Sequence, residues 1–201
     1  MIPKTIHQIH LGENRLSEKG LAWQQTWREH NPDWEMILWG DEEIKSLNIT
    51  YPKLIATSRN ASEKSDVYRY EILYQHGGLY IDTDFECLKP IDPLFEGKDF
   101  LVFRESHELG SAFVAAVKAH PDIKKIIDFQ SSRAGLPYPH SFGPRCITEC
   151  LGIDKGEPDG RSSSSKTVYP YDWREKHRAN ENFRQTHPEA YAVHHWAKTW
   201  A

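Results

Sequence analysis

Residues 65–86 read SDVYRYEILYQHGGLYIDTDFE, and this stretch decides the fold. Asn60 followed by Glu63 has the spacing of a capping box, so we expect a helix to begin at Ala61. Apolar side chains then recur at helical spacing, which indicates a helix that packs against a core. Gly77 is expected to end the helix in the left-handed conformation, because glycine has no side chain to oppose it.

A short apolar strand, residues 79–81, follows the glycines and delivers two carboxylates. Side chains alternate along a strand, so Tyr80 and Asp82 should point to the same face. Open α/β sheets bind ligands beyond the carboxyl ends of their strands, which is where Asp82 and Asp84 fall. An Asp-x-Asp triplet offers the oxygen ligands that Mg²⁺ and Mn²⁺ prefer, and these ions take further ligands from substrate phosphates.

An isolated Asp-x-Asp triplet is a weak signal, because such triplets are common in solvated turns. The preceding helix strengthens the signal here, since Asp66 and Arg69 are three residues apart and share one side of it. The simpler interpretation of these two residues is a structural ion pair. The N-terminal order of strand, helix, strand and helix favours an α/β layer fold with a parallel sheet.

Two linked motifs carry a more specific resemblance: Ser-Asp-x-x-Arg-Tyr, then Leu-Tyr-x-x-Gly-Gly-x-Tyr-x-Asp-x-Asp. The chain resembles glycosyltransferase family 32, sugar transferases with a DXD sugar-binding motif, most clearly over residues 2–93 and 192–200. The resemblance implies an α/β GT-A fold, with a Rossmann-like, mostly parallel sheet flanked by helices, as a single domain over residues 1–201. It also implies a nucleotide-sugar donor, a Mn²⁺ or Mg²⁺ cofactor and retention of the anomeric configuration.

The resemblance implies three metal ligands. Asp84 is expected to bind the ion directly, and Asp82 directly or through water. Residues 191–200 resemble the closing segment of the family, and His194 matches the position from which many GT-A enzymes complete the metal shell. Because neighbouring residues of a strand face opposite ways, His195 is not expected to be a ligand as well. The alternative for His194 is an ordinary half-buried strand histidine.

The first strand, residues 2–11, is expected to meet the nucleotide base in the resembled family. His10 stands where the family usually has a tryptophan, and a buried core position is the alternative for His7. The residues expected to bind the donor are His7, Gln8, Ile9, His10, Ser65, Asp66, Arg69, Tyr80 and Asp82. Those expected to act in catalysis are Asp66, Arg69, Asp82 and Asp84, and no general base is identifiable.

The composition limits the possible partners and compartment. A net charge of −4 over 201 residues does not favour a nucleic-acid partner, and no membrane-spanning run is present in the sequence. Cys87, Cys146 and Cys150 lack C-x-x-C spacing, so we expect reduced structural thiols. We therefore expect a cytoplasmic enzyme, including a peripheral one at the inner face of the membrane.

The resulting functional prediction is a metal-dependent hexosyltransferase of cell-surface polysaccharide synthesis, including capsular polysaccharide. Its partners would be a UDP- or GDP-sugar donor and a carbohydrate or lipid-linked glycan acceptor. One alternative is a non-catalytic module that binds sugar nucleotides. A weaker one is a phosphatase with Asp82 as nucleophile and Asp84 as acid and base. Residues 156–166 form either a surface loop or a lid over the donor.

Overall fold

The computed structural model describes residues 1–136, 141–152, 162–163, 165–180 and 182–197. The strands are β1 Thr5–Ile9, β2 Glu35–Trp39, β3 Gly78–Ile81, β4 Phe85–Cys87, β5 Phe100–Glu105, β6 Glu108–Ala116, β7 Ser162–Ser163 and β8 Ala192–His194. The α-helices are α1 Glu18–His30, α2 Asp41–Ile44, α3 Pro52–Thr57, α4 Ala61–His76, α5 Pro121–Ser132, α6 Gly143–Leu151 and α7 Phe183–Thr186. Short 3-10 helices lie at Asp92–Leu94, Ser165–Thr167 and Trp173–Asn180.

The main sheet of the described residues has the strand order β2-β1-β3-β6-β5-β7. Strand β1 runs parallel to both β2 and β3, and β7 runs parallel to β5. Strand β6 lies between β3 and β5 and is antiparallel to both. The expected α/β sheet flanked by helices is therefore confirmed, with an antiparallel hairpin in its second half.

Helix α4 begins at Ala61, as the sequence predicted, and Asn60 caps it by accepting the Glu63 backbone N–H at 2.9 Å. The capping box is only half formed, because the Glu63 carboxylate binds the backbone and guanidinium of Arg59 instead of the Asn60 N–H. The helix is buried on most of its surface between helices α3 and α5 and the sheet. This is why it can carry charged side chains into the interior.

The turn from α4 to β3 requires its glycines. Gly77 has φ +70° and ψ −167°, so the expectation of a left-handed helical residue was wrong in ψ, although the positive φ is correct. Gly78 has φ +101°, and a Cβ atom there would lie 2.5 Å from the carbonyl oxygen of Thr5. The chain therefore turns sharply against β1, which aligns β3 parallel to it.

A second, two-stranded sheet connects the two ends of the chain. Strand β4 follows the Asp-x-Asp triplet directly and pairs antiparallel with β8, with Phe85 opposite His194. The indole N–H of Trp27 on α1 donates to the carbonyl oxygen of Phe85 at 2.8 Å and fixes β4 from the other side. This pairing brings the C-terminal histidines to the carboxylates, 110 positions away in the sequence.

Three smaller features complete the fold. Gly40 precedes α2 as its cap residue, and the Asp41 carboxylate accepts the backbone N–H of Gly12. Most of the predicted loop 156–166 lies outside the described residues, and its residues Ser162–Ser163 form β7. The three cysteines are buried and free, as expected. Among the described residues, no helix has the length and apolar character needed to span a membrane.

Candidate active site

A cavity of about 380 Å³ opens at the carboxyl ends of β1 and β3. Its volume lies in the range of small-molecule sites. The predicted site residues that line it are Ile9, His10, Ser65, Asp66, Arg69, Tyr80, Asp82, Asp84 and His194. The cavity therefore collects residues from both ends of the chain.

Arg69 is the buried cation of this site. Its Nη2 lies 2.9 Å from Oδ1 of Asp66, and its Nη1 lies 3.4 Å from Oδ1 of Asp82. Further donors of the guanidinium bind the carbonyl oxygens of Ser65 at 3.2 Å and Ser111 at 2.6 Å. Arg69 thus fixes both carboxylates, and the predicted Asp66–Arg69 ion pair exists as a buried pair rather than an exposed one.

Asp66 is almost fully buried, and burial raises the pKa of its carboxyl to about 6. The Arg69 guanidinium acts in the opposite direction, while the nearby Asp82 reinforces the rise. Asp66 therefore remains largely ionised at neutral pH and lines the cavity as an acceptor for ligand hydroxyls.

Tyr80 connects the helix to the Asp-x-Asp triplet. Its hydroxyl donates to Oδ1 of Asp82 at 2.8 Å and lies 3.2 Å from Oγ of Ser65. The Arg69 guanidinium stands over its ring at 4.6 Å from the centroid. The expected shared orientation of Tyr80 and Asp82 is confirmed.

Asp84 has a different set of partners. Its Oδ1 lies 3.0 Å from Nε2 of His194, and its Oδ2 accepts the backbone N–H of Ala197 at 2.7 Å. Trp196, between them, has φ +54°, which turns the chain so that Ala197 reaches the carboxylate. Burial alone would raise the pKa of Asp84 and lower that of His194, but their mutual attraction outweighs burial and shifts both the other way.

The three predicted metal ligands converge. Asp82, Asp84 and His194 each offer one ligand atom, and these atoms all lie within 4.8 Å of one another. Two carboxylates and one imidazole suit Mn²⁺ and are acceptable to Mg²⁺. The Nδ1 atom of His194 is buried without a hydrogen-bond partner among the described residues, while its Nε2 contacts Asp84.

His195 faces away from this cluster, as alternation along the strand predicted. Its Nε2 lies 2.9 Å from a Glu86 carboxylate oxygen, and its ring stacks on Trp23 with centroids 4.5 Å apart. His195 therefore packs the β4–β8 sheet against α1. The structure places His194, rather than His195, beside the two aspartates.

Two residues predicted to bind the donor do not line the cavity. His7 lies at the opposite end of β3, where its Nε2–H donates to the Gly77 carbonyl at 2.9 Å and its Nδ1 accepts the Trp39 indole N–H at 3.1 Å. Burial lowers the pKa of His7 to about 4, so the ring is neutral. The alternative of a core histidine is therefore the correct one.

Gln8 was likewise placed wrongly, because its amide is used within the protein. Its Nε2 donates to the Asp82 backbone carbonyl at 3.4 Å, and its Oε1 accepts from the side chain of Gln24 at 3.0 Å. Through this hydrogen bond, Gln8 helps to hold the backbone of the Asp-x-Asp triplet in place. His10 and Ile9 do line the cavity, although His10 also contacts the carbonyl oxygen of Asn14 at 2.7 Å.

Glu105, Trp173 and Trp196 line the cavity and were not singled out from the sequence. Burial raises the pKa of Glu105 to about 7, and Asp82 contributes to the rise. The Trp196 indole nitrogen is buried without a hydrogen-bond partner among the described residues. The sequence could have suggested Glu105, because it stands at the end of an apolar strand. Trp173 lies in a segment without a helical or strand periodicity, so the sequence did not suggest it.

The fold is that of the GT-A glycosyltransferases, and a family profile matches part of the chain. Residues 17–101 match the profile of the glycosyltransferase sugar-binding region containing a DXD motif. This match confirms the resemblance to the family that was read from the sequence.

Curated relatives include two fungal mannosyltransferases. The chain is 31% identical over 130 residues to inositol phosphoceramide mannosyltransferase 3 of Schizosaccharomyces pombe, covering 63% of this chain and 36% of the relative. It is 28% identical over 141 residues to the initiation-specific alpha-1,6-mannosyltransferase of Candida albicans, covering 65% of this chain and 36% of the relative. The matched part is thus little more than a third of the length of these relatives.

Solved structures share the fold. The PaToxG glycosyltransferase superposes with a TM-score of 0.62 at 22% identity, covering 75% of this chain and 68% of that one. The galactosyltransferase LgtC, solved with donor and acceptor sugar analogues, superposes with a TM-score of 0.53 at 10% identity, covering 96% and 87%. At these identities the likeness concerns the fold alone.

Proposed function

We propose that this chain transfers a hexose from a nucleotide-diphosphate sugar to a hydroxyl of a carbohydrate or lipid-linked acceptor, with retention of the anomeric configuration. The observation that carries the proposal is the convergence of Asp82, Asp84 and His194 on one cavity that also contains the Asp66–Arg69 pair. A cation ligand set and a buried pair for sugar hydroxyls are both required for this chemistry.

In this proposal Asp82, Asp84 and His194 hold Mn²⁺ or Mg²⁺, which supplies positive charge for the diphosphate leaving group. Arg69 already uses several of its donors on protein oxygens, so its principal effect is to hold Asp66 and Asp82 in place. Asp66 accepts hydrogen bonds from hydroxyls of the donor sugar.

Mannose is the first donor sugar to test, because the relatives that support the family are named as mannosyltransferases. The base of the donor, uridine or guanosine, would lie beside Ile9 and His10 at the end of β1. The acceptor would be a glycan of the cell surface, including a capsular polysaccharide, or a lipid-linked polyol or sugar. A cytoplasmic site of action, at the inner membrane face for a lipid acceptor, is supported by three buried, unpaired cysteines.

The direct test is a thermal-shift panel of UDP, GDP and their common sugars, each with and without Mn²⁺. Binding to the folded state raises the apparent Tm by mass action. We expect a shift with one nucleotide only when Mn²⁺ is present, and Asp84→Asn should abolish that shift. The matched control is Asp92→Asn, which removes an exposed carboxylate outside the cavity.

The outcome also separates the alternatives. Metal-dependent binding of the nucleotide sugar, with neither sugar transfer nor slow hydrolysis of the donor, would identify a non-catalytic sugar-nucleotide module. A burst of aryl alcohol released from a generic aryl phosphate, and lost in Asp82→Asn, would support the phosphatase alternative. Metal-dependent nucleotide binding that survives Asp84→Asn would contradict the assigned site.

A further inference from the structure

The side of the cavity opposite α4 has features that the donor assignment does not use. Glu105 is the last residue of β5, and its carboxylate lines the cavity together with the indole of Trp173. Trp173 is 53% exposed, which is unusual for so large an apolar side chain. One partly buried carboxyl group and one exposed aromatic side chain therefore share the cavity.

Trp173 is held in this place by a set of polar contacts. The Arg174 guanidinium binds both carboxylate oxygens of Asp172, at 2.7 and 2.9 Å, and also donates to Oγ of Ser106 at 3.1 Å. Ser106 follows Glu105 directly and has φ +60°. These contacts join the segment that carries Trp173 to the turn that follows Glu105, so the two segments are held together.

The charges on this side select the kind of ligand. Acidic neighbours of Glu105 are Asp82, Asp172 and Glu108, of which Asp82 is a proposed metal ligand and Asp172 is paired with Arg174. The carboxylate of Glu105 itself would repel a diphosphate. An uncharged ligand rich in hydroxyls is favoured, because hydroxyls donate to carboxylates and the C–H face of a sugar ring packs on an aromatic ring.

We propose that Glu105 and Trp173 form the acceptor subsite, in which a hexopyranose or a comparable polyol ring packs on the Trp173 indole and donates a hydroxyl hydrogen bond to Glu105. This inference rests on the proposed transferase function. It assigns the wall formed by α4 and β3 to the donor and the wall formed by Glu105 and Trp173 to the acceptor. Glu105 binds the acceptor and positions it, and no covalent step is assigned to it.

Saturation-transfer NMR with small ring probes tests the proposal. The probes are methyl α-D-mannopyranoside, methyl α-D-galactopyranoside and myo-inositol, added to the protein with Mg²⁺ and the nucleotide diphosphate found above. We expect at least one probe to bind, and its signal to fall at least about fivefold in both Glu105→Gln and Trp173→Ala as the hydrogen bond or the stacking surface is lost. Trp173→Phe should restore part of the signal.

Glu108→Gln is the matched control for Glu105→Gln, because Glu108 lies opposite Glu105 in the same hairpin and does not line the cavity. Calorimetric binding of the nucleotide with Mg²⁺ reports the donor side separately and should change less than about twofold in both test variants. If the wild type does not bind the nucleotide with Mg²⁺ in this calorimetry, the proposed function itself is contradicted.

Three results would overturn the inference while leaving the proposed function intact. The first is nucleotide binding by the wild type without binding of any ring probe. The second is a probe signal that persists in Glu105→Gln and Trp173→Ala but disappears in Asp66→Asn, which would place the ring in the donor-sugar position. The third is a parallel loss of nucleotide binding in both variants.

Discussion

Asp82 and Asp84 are two residues apart, yet they belong to walls of the cavity that are built in different ways. The first, here called the local wall, comprises Ser65, Asp66, Arg69, Tyr80 and Asp82, all within 18 consecutive positions. The second, the remote wall, comprises Asp84, Glu105, Trp173, His194 and Trp196, which come together only through β-sheet pairing. The local wall is closed by its own hydrogen bonds. The remote wall keeps His194 Nδ1 and Trp196 Nε1 unpartnered among the described residues.

This difference suggests a division of labour. Buried charges in the local wall hold one another in place, so that wall is organised before any ligand arrives. The remote wall instead contains the proposed metal ligands Asp84 and His194 and the proposed acceptor contacts Glu105 and Trp173. Substitutions in the local wall should therefore mainly lower the free energy of unfolding, whereas those in the remote wall should mainly weaken ligand or metal binding.

The largest expected effect is that of Arg69→Met. This change leaves Asp66 buried without its cation, and breaking a buried pair in this way costs about 3–5 kcal/mol of unfolding free energy. The loss should be larger at pH 8 than at pH 5, because the pKa of Asp66 is about 6 and its protonated form needs no cation. Urea unfolding at both pH values measures it.

Asp66→Asn is the matched control, since it leaves Arg69 in contact with Asp82 and the Ser111 carbonyl. It should cost less than Arg69→Met at pH 8. Equal losses in the two variants, independent of pH, would mean that the local wall is not organised by its charges.

The same contrast explains what the sequence could predict. The helix start at Ala61, the turn at Gly77 and the common face of Tyr80 and Asp82 follow from local spacing, and the structure agrees. His194 was selected over His195 by alternation along a strand and by the resemblance. Local spacing carries such information because residues three or four apart on a helix, or two apart on a strand, are neighbours.

The errors have a physical reason as well. His7 and Gln8 were assigned to the donor because they precede His10 on β1, but their depth along the strand depends on where β3 pairs with it. Glu105 and Trp173 are far apart in the sequence and line the same cavity only in the folded chain. Such contacts depend on register and topology, which single-sequence patterns do not encode.

The second effect concerns Glu105 in the remote wall and the pH dependence of stability. Burial raises its pKa from 4.5 to about 7, so between these values the unfolded chain loses the proton while the folded chain keeps it. Stability from this group is fully present below pH 4.5 and is lost as pH rises through 7, by up to about 3 kcal/mol. In Glu105→Gln, the unfolding free energy should no longer show this fall with rising pH. Urea unfolding in the presence of EDTA, which keeps the site free of metal, measures it.

Glu108→Gln provides the comparison, because it changes the same charge in the same hairpin outside the cavity. Its unfolding free energy should still fall as pH rises, slightly less steeply than that of the wild type, because Glu108 is one of the charges that raise the pKa of Glu105. If Glu105→Gln also follows the wild type, the carboxyl group is solvated and the remote wall is more open than its burial indicates.

The third effect is on metal affinity and separates the two neighbouring histidines. His194→Ala removes a proposed ligand and should weaken Mn²⁺ binding at least about tenfold, equivalent to 1.4 kcal/mol. His195→Ala removes the Glu86 contact and the stacking on Trp23, so it should affect stability more than Mn²⁺ affinity. Calorimetric Mn²⁺ titrations of both variants measure the two affinities. A larger loss of Mn²⁺ affinity in His195→Ala would show that His195, and not His194, binds the metal.

The smallest effect returns to the local wall and compares two buried tyrosines. Tyr80→Phe removes the hydroxyl that donates to Asp82 at 2.8 Å, so it should cost about 1 kcal/mol of unfolding free energy. Tyr70→Phe removes a buried hydroxyl that has no partner among the described residues, so it should be neutral or slightly stabilising. Both rings are almost fully buried, so the loss of ring packing is matched between the variants. Equal destabilisation would show that the Tyr80 hydroxyl adds nothing to the local wall, and that Arg69 alone holds Asp82 in position.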